Sequence, residues 1–299
     1  MLKYVKNFTD WWSRPEKSVL MDYVQSFIII LPIAFIIRTW GYGLYQVPSG
    51  SMETTMLVGE LFFADKFTYT FIRKPQRGDI ISLNQPEASG YMYSKNRWVR
   101  LFQYYVYGPE NWTKRVIGIP GDHVQGKIEE GKTVVYLNGE KLDEPYVNNY
   151  PLLMQSIENH LTKSFDPEYS YENQPFYCMQ PYVIKKVEEF WKARGIAPRR
   201  EPGTPLDFYP DLKNNYGSDA FDIHLGENQY WGMGDNRLGS FDCRGWGPID
   251  GNLIHGRIVF RIFSLDKDSN SSGVFIDILK HPFTVWKRIR WRRCLNILK

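Results

Sequence analysis

The 299-residue chain carries 37 Lys and Arg against 33 Asp and Glu, with 43% hydrophobic and 23% charged residues. That balance excludes a disordered, collagen-like or disulfide-miniprotein chain and leaves room for a sizeable core. The net charge of +4 is unevenly placed, because residues 280–299 hold seven basic residues and no acid, and the remainder carries 30 basic against 33 acidic residues. A basic body suited to nucleic acid is therefore not indicated. Cys178, Cys243 and Cys294 form no CxxC or Cys/His ligand spacing, which argues against structural zinc and allows at most one disulfide.

Residues 24–37 are the longest apolar run, and continuing to residue 45 adds Arg38 as its single charge together with Trp40, Tyr42 and Tyr45. The pattern predicts a transmembrane anchor over 23–45, with aromatics suited to the headgroup region and Pro32 tolerable in a spanning helix. A cleaved signal peptide and a buried helix of a soluble domain are the rival readings. Against the first, 22 mixed-charge residues precede the anchor, and Arg38 and Trp40 interrupt the approach to a cleavage site. Lys3, Lys6, Arg14 and Lys17 precede the run, while only Arg38 follows it closely. The positive-inside bias then puts residues 1–22 in the cytoplasm and the rest across the membrane.

Beyond the anchor, residues 46–265 read as a β-rich body. Strand-length runs lie at 61–67, 79–83, 113–119, 133–137 and 253–263, punctuated by Pro120-Gly121-Asp122 and Asn138-Gly139. The Asn-Gly pair is a strong hairpin signal. Residues 150–225, rich in Pro, Tyr and Asn, read as an insertion with helices at 151–161 and 183–195. Residues 266–273 form a polar, flexible linker to a basic tail, so that 266–299 reads as linker and tail beyond the β body.

The chain has no GxSxG elbow, HExxH, Walker loop or GxGxxG. His123, His160, His224, His255 and His281 are scattered without a triad context. Two segments stand out instead. PSGSMETT at 48–55 sets two hydroxyls around a glycine just after the anchor, and Lys114 lies inside an alternating strand with Trp112 and Val116 on its face. A serine needs a base to become a nucleophile, and a lysine whose charge is disfavoured by burial can serve. A third segment, MGDNRLGSFDCRGWGPI at 233–249, gathers Asp235, Arg237, Asp242 and Arg244 around Ser240 and reads as a charge-paired loop.

In this order the segments resemble the bacterial type I signal peptidase (leader peptidase) family over residues 20–265. The family's SGSMxPTL box is matched at 49–56, its RGDIVVF-like strand at 77–83 and its KRVIGLPGD box at 114–122. Its NGxxLDEPYV hairpin is matched at 138–147 and its GDNRxxSxDSRxWG box at 234–247. The resemblance implies a mainly β fold of antiparallel sheets, with an N-terminal transmembrane helix and an inserted α or irregular region. It further implies a Ser–Lys endopeptidase that removes N-terminal signal peptides from exported preproteins after small residues at −1 and −3.

By the same resemblance Ser51 is the nucleophile, Lys114 the general base and Ser49 an oxyanion-hole donor alongside the Ser51 N–H. Ser240 orients the lysine and Asp242 supports that region, while Arg115 with Asp235, and Asp242 with Arg244, form structural ion pairs. Tyr45, Val47, Pro48, Met52, Met56 and Trp112 are the expected walls of the substrate pocket. No metal or cofactor is implied. The implied partners are signal peptides, the lipid bilayer and the neighbourhood of the translocon, in a bacterial plasma membrane. Three departures from the family pattern are Thr54, Leu238 and Cys243. A catalytically silent membrane-side binding domain and a phage-repressor-type autoprotease are the competing readings. The paired Ser51 and Lys114 oppose the first, and the N-terminal span opposes the second.

The tail lies outside the resemblance. Phe283, Trp286, Ile289, Trp291, Leu295 and Leu298 alternate imperfectly with arginines, which suits either a membrane surface or docking on the chain's own domain.

Overall fold

The structure, a computed structural model, describes residues 18–86, 96–102, 111–129, 132–148, 219–237, 239–266 and 273–298. The expected helices at 151–161 and 183–195, residues 1–17 and most of the linker lie outside the described residues.

Helix α1 (Val19–Ile36) begins at Ser18, whose hydroxyl accepts a hydrogen bond from the Met21 N–H at 3.3 Å. It continues through a wider turn at Ile37–Gly41, making 23 residues whose most apolar 18-residue stretch has a mean hydropathy of 2.1. At 1.5 Å per residue this reaches about 35 Å, enough to cross a hydrocarbon core of about 30 Å. By length and composition, α1 with its wide turn suits a membrane-anchored chain. Its Phe27, Ile30 and Phe35 are well exposed.

The expected anchor boundary shifts. Residues 42–46 are not helix but strand β1 (Tyr42–Gln46), in register with Asp65 to Leu61 of β2 (Glu60–Asp65). Tyr42 stacks on Phe63 at 4.7 Å. The helix yields because Gly41 and Gly43 favour its end and a partner strand is available for pairing.

The remaining strands are β3 (Ile80–Asn84), β4 (Asn111–Gly118), β5 (His123–Glu129), β6 (Lys132–Leu137), β7 (Glu140–Lys141), β8 (Phe221–His224), β9 (Gln229–Met233), β10 (Ile249–Asp250), β11 (Ile254–Ser264) and β12 (Asn296–Ile297). Among the described strands every ladder is antiparallel, in two sheets. The larger runs β1-β2-β11-β3-β4-β9-β10 with β12 against β11, and the smaller runs β7-β6-β5-β8. The chain leaves the large sheet after β4 and returns at β9, so the small sheet is an excursion between them. β8 also shows that the C-terminal end of the stretch expected as an insertion over 150–225 is strand of the small sheet, since Phe221 to His224 pair with Gly126 to His123.

Local chemistry accounts for these elements. β2 and β3 are short apolar runs with mostly buried residues, as strands covered on both faces should be. Asn138 and Gly139 both have positive φ, 54° and 89°, the backbone that a two-residue hairpin turn requires between β6 and β7. Irregularities at Ile254/Gly256, Ile258/Phe260 and Arg261/Phe263 bend β11, which lets one strand serve β3 at one end and β2 at the other.

One core, including Leu83, Val116, Val124, Phe221, Trp231 and Ile249, joins the two sheets. A second, including Val47, Met52, Met56, Phe62 and Ile258, lies under the segment that follows β1. A third buries Leu61 and Leu265 against Val274, Val285 and Ile289 of the C-terminal segment. The tail is therefore docked on the body, one of the two readings that its sequence pattern suits.

Charges are buried in pairs. Glu60, fully buried, accepts from Arg261 at 3.1 Å, from Arg293 at 2.6 Å, from Ser264 at 2.9 Å and from the Leu57 N–H at 2.8 Å. Removing one partner of a buried ionic cluster costs more than the cluster contributes, because the others keep their desolvation penalty. Glu60→Ala is expected to lose about 3–5 kcal/mol. In thermal unfolding of the full chain in detergent this reads as a fall in Tm of roughly 10 °C. An unchanged Tm would show that the cluster is not a structural joint.

Candidate active site

After β1 the chain passes Val47 and Pro48, extends at Ser49 (φ −135°, ψ 161°), and turns through a single 3-10 turn, Gly50–Met52. Ser51 sits in the middle of that turn, half-buried, with Met52 buried beneath it. The Glu53–Thr54 peptide is cis.

The turn is held from the loop after β9. The Asn236 N–H donates to the Ser51 carbonyl at 3.1 Å, and Asn236 Nδ2 donates to the Gly50 carbonyl at 3.0 Å. Thr55 Oγ1 donates to Asp235 at 2.5 Å. The approach requires a glycine at 234, since a Cβ there would lie 2.2 Å from Ser240 Oγ and 2.5 Å from the Ser51 carbonyl oxygen. From the other side, Arg261 and Arg293 donate to the Thr55 carbonyl at 2.5 and 3.1 Å, and Arg293 also reaches the Thr54 carbonyl at 3.2 Å. The departure at Thr54 therefore sits in a turn tied down by arginines.

Lys114 lies on β4 and is 4% exposed. Its amine sits 5.9 Å from the centre of the Trp112 ring and 5.8 Å from that of Trp246, and donates to the Thr113 carbonyl at 3.1 Å. Burial removes water from the ammonium and lowers its pKa to about 8, with Asp242 pulling the other way. That pull is blunted. Burial disfavours the Asp242 charge, yet Arg244 at 2.8 Å and the Gly234 N–H at 2.9 Å hold its pKa down to about 2. Arg244 also pairs with Asp219 and donates to the Arg237 carbonyl at 2.8 Å. Asp235, the next acid, takes two hydrogen bonds from Arg115, at 2.9 and 2.7 Å. Arg115 stacks on Tyr146, and Arg237 pairs with Glu144.

The Ser240 hydroxyl is buried and has no hydrogen-bond partner among the described residues. Lys114 Nζ is turned to the Thr113 carbonyl and is not hydrogen-bonded to Ser240. Hydrogen bonds of reacting groups are often long before substrate arrives and tighten in the complex.

A cleft of about 620 Å³ brings Ser49, Ser51 and Lys114 together. All six expected wall residues line it: Tyr45, Val47, Pro48, Met52, Met56 and Trp112. Ser240 and Asp242 stand just behind the wall, flanking the lining residue Phe241. The cleft has strand edges on two sides. Among the described strands β1 pairs only with β2, and β4 pairs with β3 from residue 111 but with β9 only from residue 115. The ladder positions of Trp112 and Thr113 on the β9 side are therefore unused by the described strands.

Several contributors were not anticipated. Asn236 fixes the Ser51 turn, Trp246 and Phe241 pack around Trp112 at 4.9 and 6.0 Å, and Arg261 and Arg293 brace the following loop. Asn236 lies inside a motif dominated by its charged residues, and nothing in the spacing of Arg293 points at a loop some 240 residues earlier. Cys243, where serine is common in the family box, accepts from the Gly232 N–H at 3.1 Å, and burial pushes its thiol pKa up. Leu238 lies outside the described residues.

His123, Asp222 and His224 bring three ligand-type atoms within 4.8 Å of one another on the small sheet, but none of the three lines the cleft. The two imidazoles stack at 3.9 Å with planes 11° apart, so their nitrogens run side by side.

The family model described as signal peptidase, peptidase S26, matches residues 20–263. The signal peptidase I of Buchnera aphidicola subsp. Schizaphis graminum is 28% identical over 257 residues, covering 80% of this chain and 73% of that protein. Its counterpart from Buchnera aphidicola subsp. Baizongia pistaciae is 27% identical over 266 residues, covering 82% and 77%. The signal peptidase I of Haemophilus influenzae is 24% identical over 273 residues, covering 85% and 72%.

The low pKa of Lys114 has a stability consequence. With its folded pKa of about 8 below the ordinary 10.5, the unfolded chain holds the proton more tightly, so the penalty is complete below pH 8 and fades towards 10.5. Lys114→Met, of similar length, is expected to raise stability by a few kcal/mol at pH 7. The gain should shrink as pH approaches 10.5. Urea unfolding of both proteins at the two pH values checks it, and an equal difference at both would exclude a desolvated lysine.

Proposed function

The chain belongs to the signal peptidase family, peptidase S26, and from that premise we propose that it removes signal peptides from preproteins as a serine peptidase, with Ser51 as nucleophile and Lys114 as general base. One observation carries the assignment of roles. The described cleft has a serine on a braced turn and, facing the same space, a buried lysine whose charge is disfavoured by its surroundings.

In this mechanism the uncharged Lys114 amine takes the proton of the Ser51 hydroxyl as its Oγ attacks the scissile carbonyl carbon. The carbonyl π-bond opens to an oxyanion, which the Ser51 N–H and the Ser49 hydroxyl stabilise. Fixed donors aimed at that oxygen contribute several kcal/mol in a site sheltered from water. Collapse of the intermediate breaks the C–N bond, and the Lys114 ammonium protonates the departing amine. A water, deprotonated by the same amine, then attacks the acyl-enzyme ester and releases the signal peptide carboxylate. The Ser240 hydroxyl, unpartnered among the described residues, accepts from the Lys114 amine and orients it once substrate tightens the site, while the Asp242–Arg244 pair fixes the loop behind it.

Substrate binding follows from the strand edges. An extended peptide adds to β1 and to the unused positions of β4 around Trp112, with main-chain hydrogen bonds supplying affinity. Val47, Met52 and Met56 are nearly buried, which leaves shallow depressions that accept small side chains at −1 and −3 and exclude large ones. Helix α1 spans the plasma membrane with residues 1–18 in the cytoplasm, an orientation supported by the lysines and arginine that precede it. The cleft then works on the far side, close to where exported chains emerge.

Ser51→Ala and Lys114→Met are each expected to cut preprotein cleavage in detergent by at least roughly 10³-fold. For the unaltered chain, kcat/KM should climb about tenfold from pH 7 to pH 9 as the amine loses its proton. Substantial cleavage by either variant, or a flat profile across that range, would overturn the Ser–Lys assignment.

A further inference from the structure

The basic residues of the C-terminal segment divide between two faces. On the inner face Arg288 pairs with Asp277 at 2.9 Å, Arg290 donates to the Val58 carbonyl at 3.2 Å, and Arg293 reaches Glu60 at 2.6 Å. Val274, Val285 and Ile289 are buried on the same side, and Asn296–Ile297 pairs with Phe260 and Arg261 of β11. These contacts fix the segment as a strap across the domain.

The outer face is different. Phe275, Leu279, Phe283, Trp286, Trp291 and Ile297 are all exposed, Leu279 at 80% and Phe283 at 93%. Trp286 and Trp291 lie parallel, with planes 5° apart. Lys280, Lys287 and Arg292 are exposed among them. The one acid in residues 273–298, Asp277, is buried against Arg288. Aromatics interspersed with cations, with no exposed acid, match a lipid–water interface that bears negative charge.

The position suits the same partner. The Val274 N–H donates to Gln46 Oε1 at 3.0 Å, and Gln46 is the last residue of β1, five residues beyond the end of the wide turn at Gly41. At about 3.3 Å per residue, the Gln46 backbone, to whose side chain the start of the strap is hydrogen-bonded, lies within roughly 17 Å of the membrane-end of α1. Gln46 also lines the cleft.

We propose that the outer face of residues 275–297 rests on an anionic lipid surface, with the aromatic side chains at the headgroup level and Lys280, Lys287 and Arg292 against lipid phosphates. The strap then fixes the tilt of the domain over the bilayer, so that the cleft is held near the membrane. The inference rests on the reading that α1 spans a membrane, and its test separates the two.

The full chain is reconstituted in phosphatidylcholine vesicles containing one-third phosphatidylglycerol, carrying a photoreactive benzoylphenylalanine at one position per preparation. Positions Phe283, Leu31 in α1 and Lys127 on the small sheet are compared by mass shift after illumination. Phe283 is expected to give a lipid adduct several-fold above Lys127. Changing Lys280→Gln, Lys287→Gln and Arg292→Gln together should lower that adduct by roughly fivefold or more, since each cation near such a surface contributes about that factor. Adduct at Leu31 but not above the Lys127 level at Phe283 overturns the proposal while leaving the span intact. Adduct at Phe283 without one at Leu31 upholds the strap and overturns the span. Adduct at neither, a covalent dimer at Phe283 in place of lipid, or a Phe283 adduct indifferent to the three substitutions also overturns the proposal.

Discussion

A lysine that is to titrate near neutral pH cannot stand beside an uncommitted carboxylate. Burial between Trp112 and Trp246 takes the Lys114 ammonium out of water and lowers its pKa to about 8. A bare Asp242 or Asp235 in the same interior would reverse that effect. Each is instead committed to a guanidinium, Asp242 to Arg244 and Asp235 to Arg115. The arginines thus act on the lysine through the acids that they neutralise, and under the proposed mechanism the two buried ion pairs are a condition for the chemistry as well as joints of the fold.

The topology delivers the partners of that lysine from opposite parts of the sheet. Ser51 comes from the loop between β1 and β2, whereas Lys114 comes from β4, with β2, β11 and β3 between β1 and β4 in the sheet order. Neither strand alone could hold the serine in position. The turn that carries it is pinned on one side by Asn236 and Gly234 and, through the next residues, on the other by Arg261 and Arg293. Because Glu60 organises both of those arginines, the third core and the Ser51 loop are mechanically one unit. Under the proposed mechanism, a rigid turn facing a cleft with strand edges lets a flexible peptide supply the motion and the enzyme supply the geometry.

Much of this was legible in the residues. The strand at 79–83, the Asn-Gly hairpin and the apolar helix all follow from local pattern, since alternation, turn residues and run length act over a few positions. The ordered boxes around Ser51, Lys114 and Ser240 also pointed to one cleft. What pattern could not supply was tertiary. Tyr42 to Tyr45 look like the aromatic end of a membrane helix, but the free edge of β2 converts them into strand. The basic tail looks separable because its charge is visible and its acceptors, Glu60 and the Val58 carbonyl, lie more than 200 residues away. β8 was hidden in a polar insertion for the same reason, as its pairing partner β5 lies about 100 residues earlier.

Direct titration of Lys114 tests the desolvated-lysine claim at its source. The full chain, labelled with 13C at lysine Cε and held in detergent micelles, is followed by NMR from pH 6 to 11, with the Lys114 resonance identified by its loss in Lys114→Met. A midpoint near 8, well separated from the surface lysines, is the predicted result. A midpoint near the ordinary 10.5 would contradict it and remove the base from the mechanism.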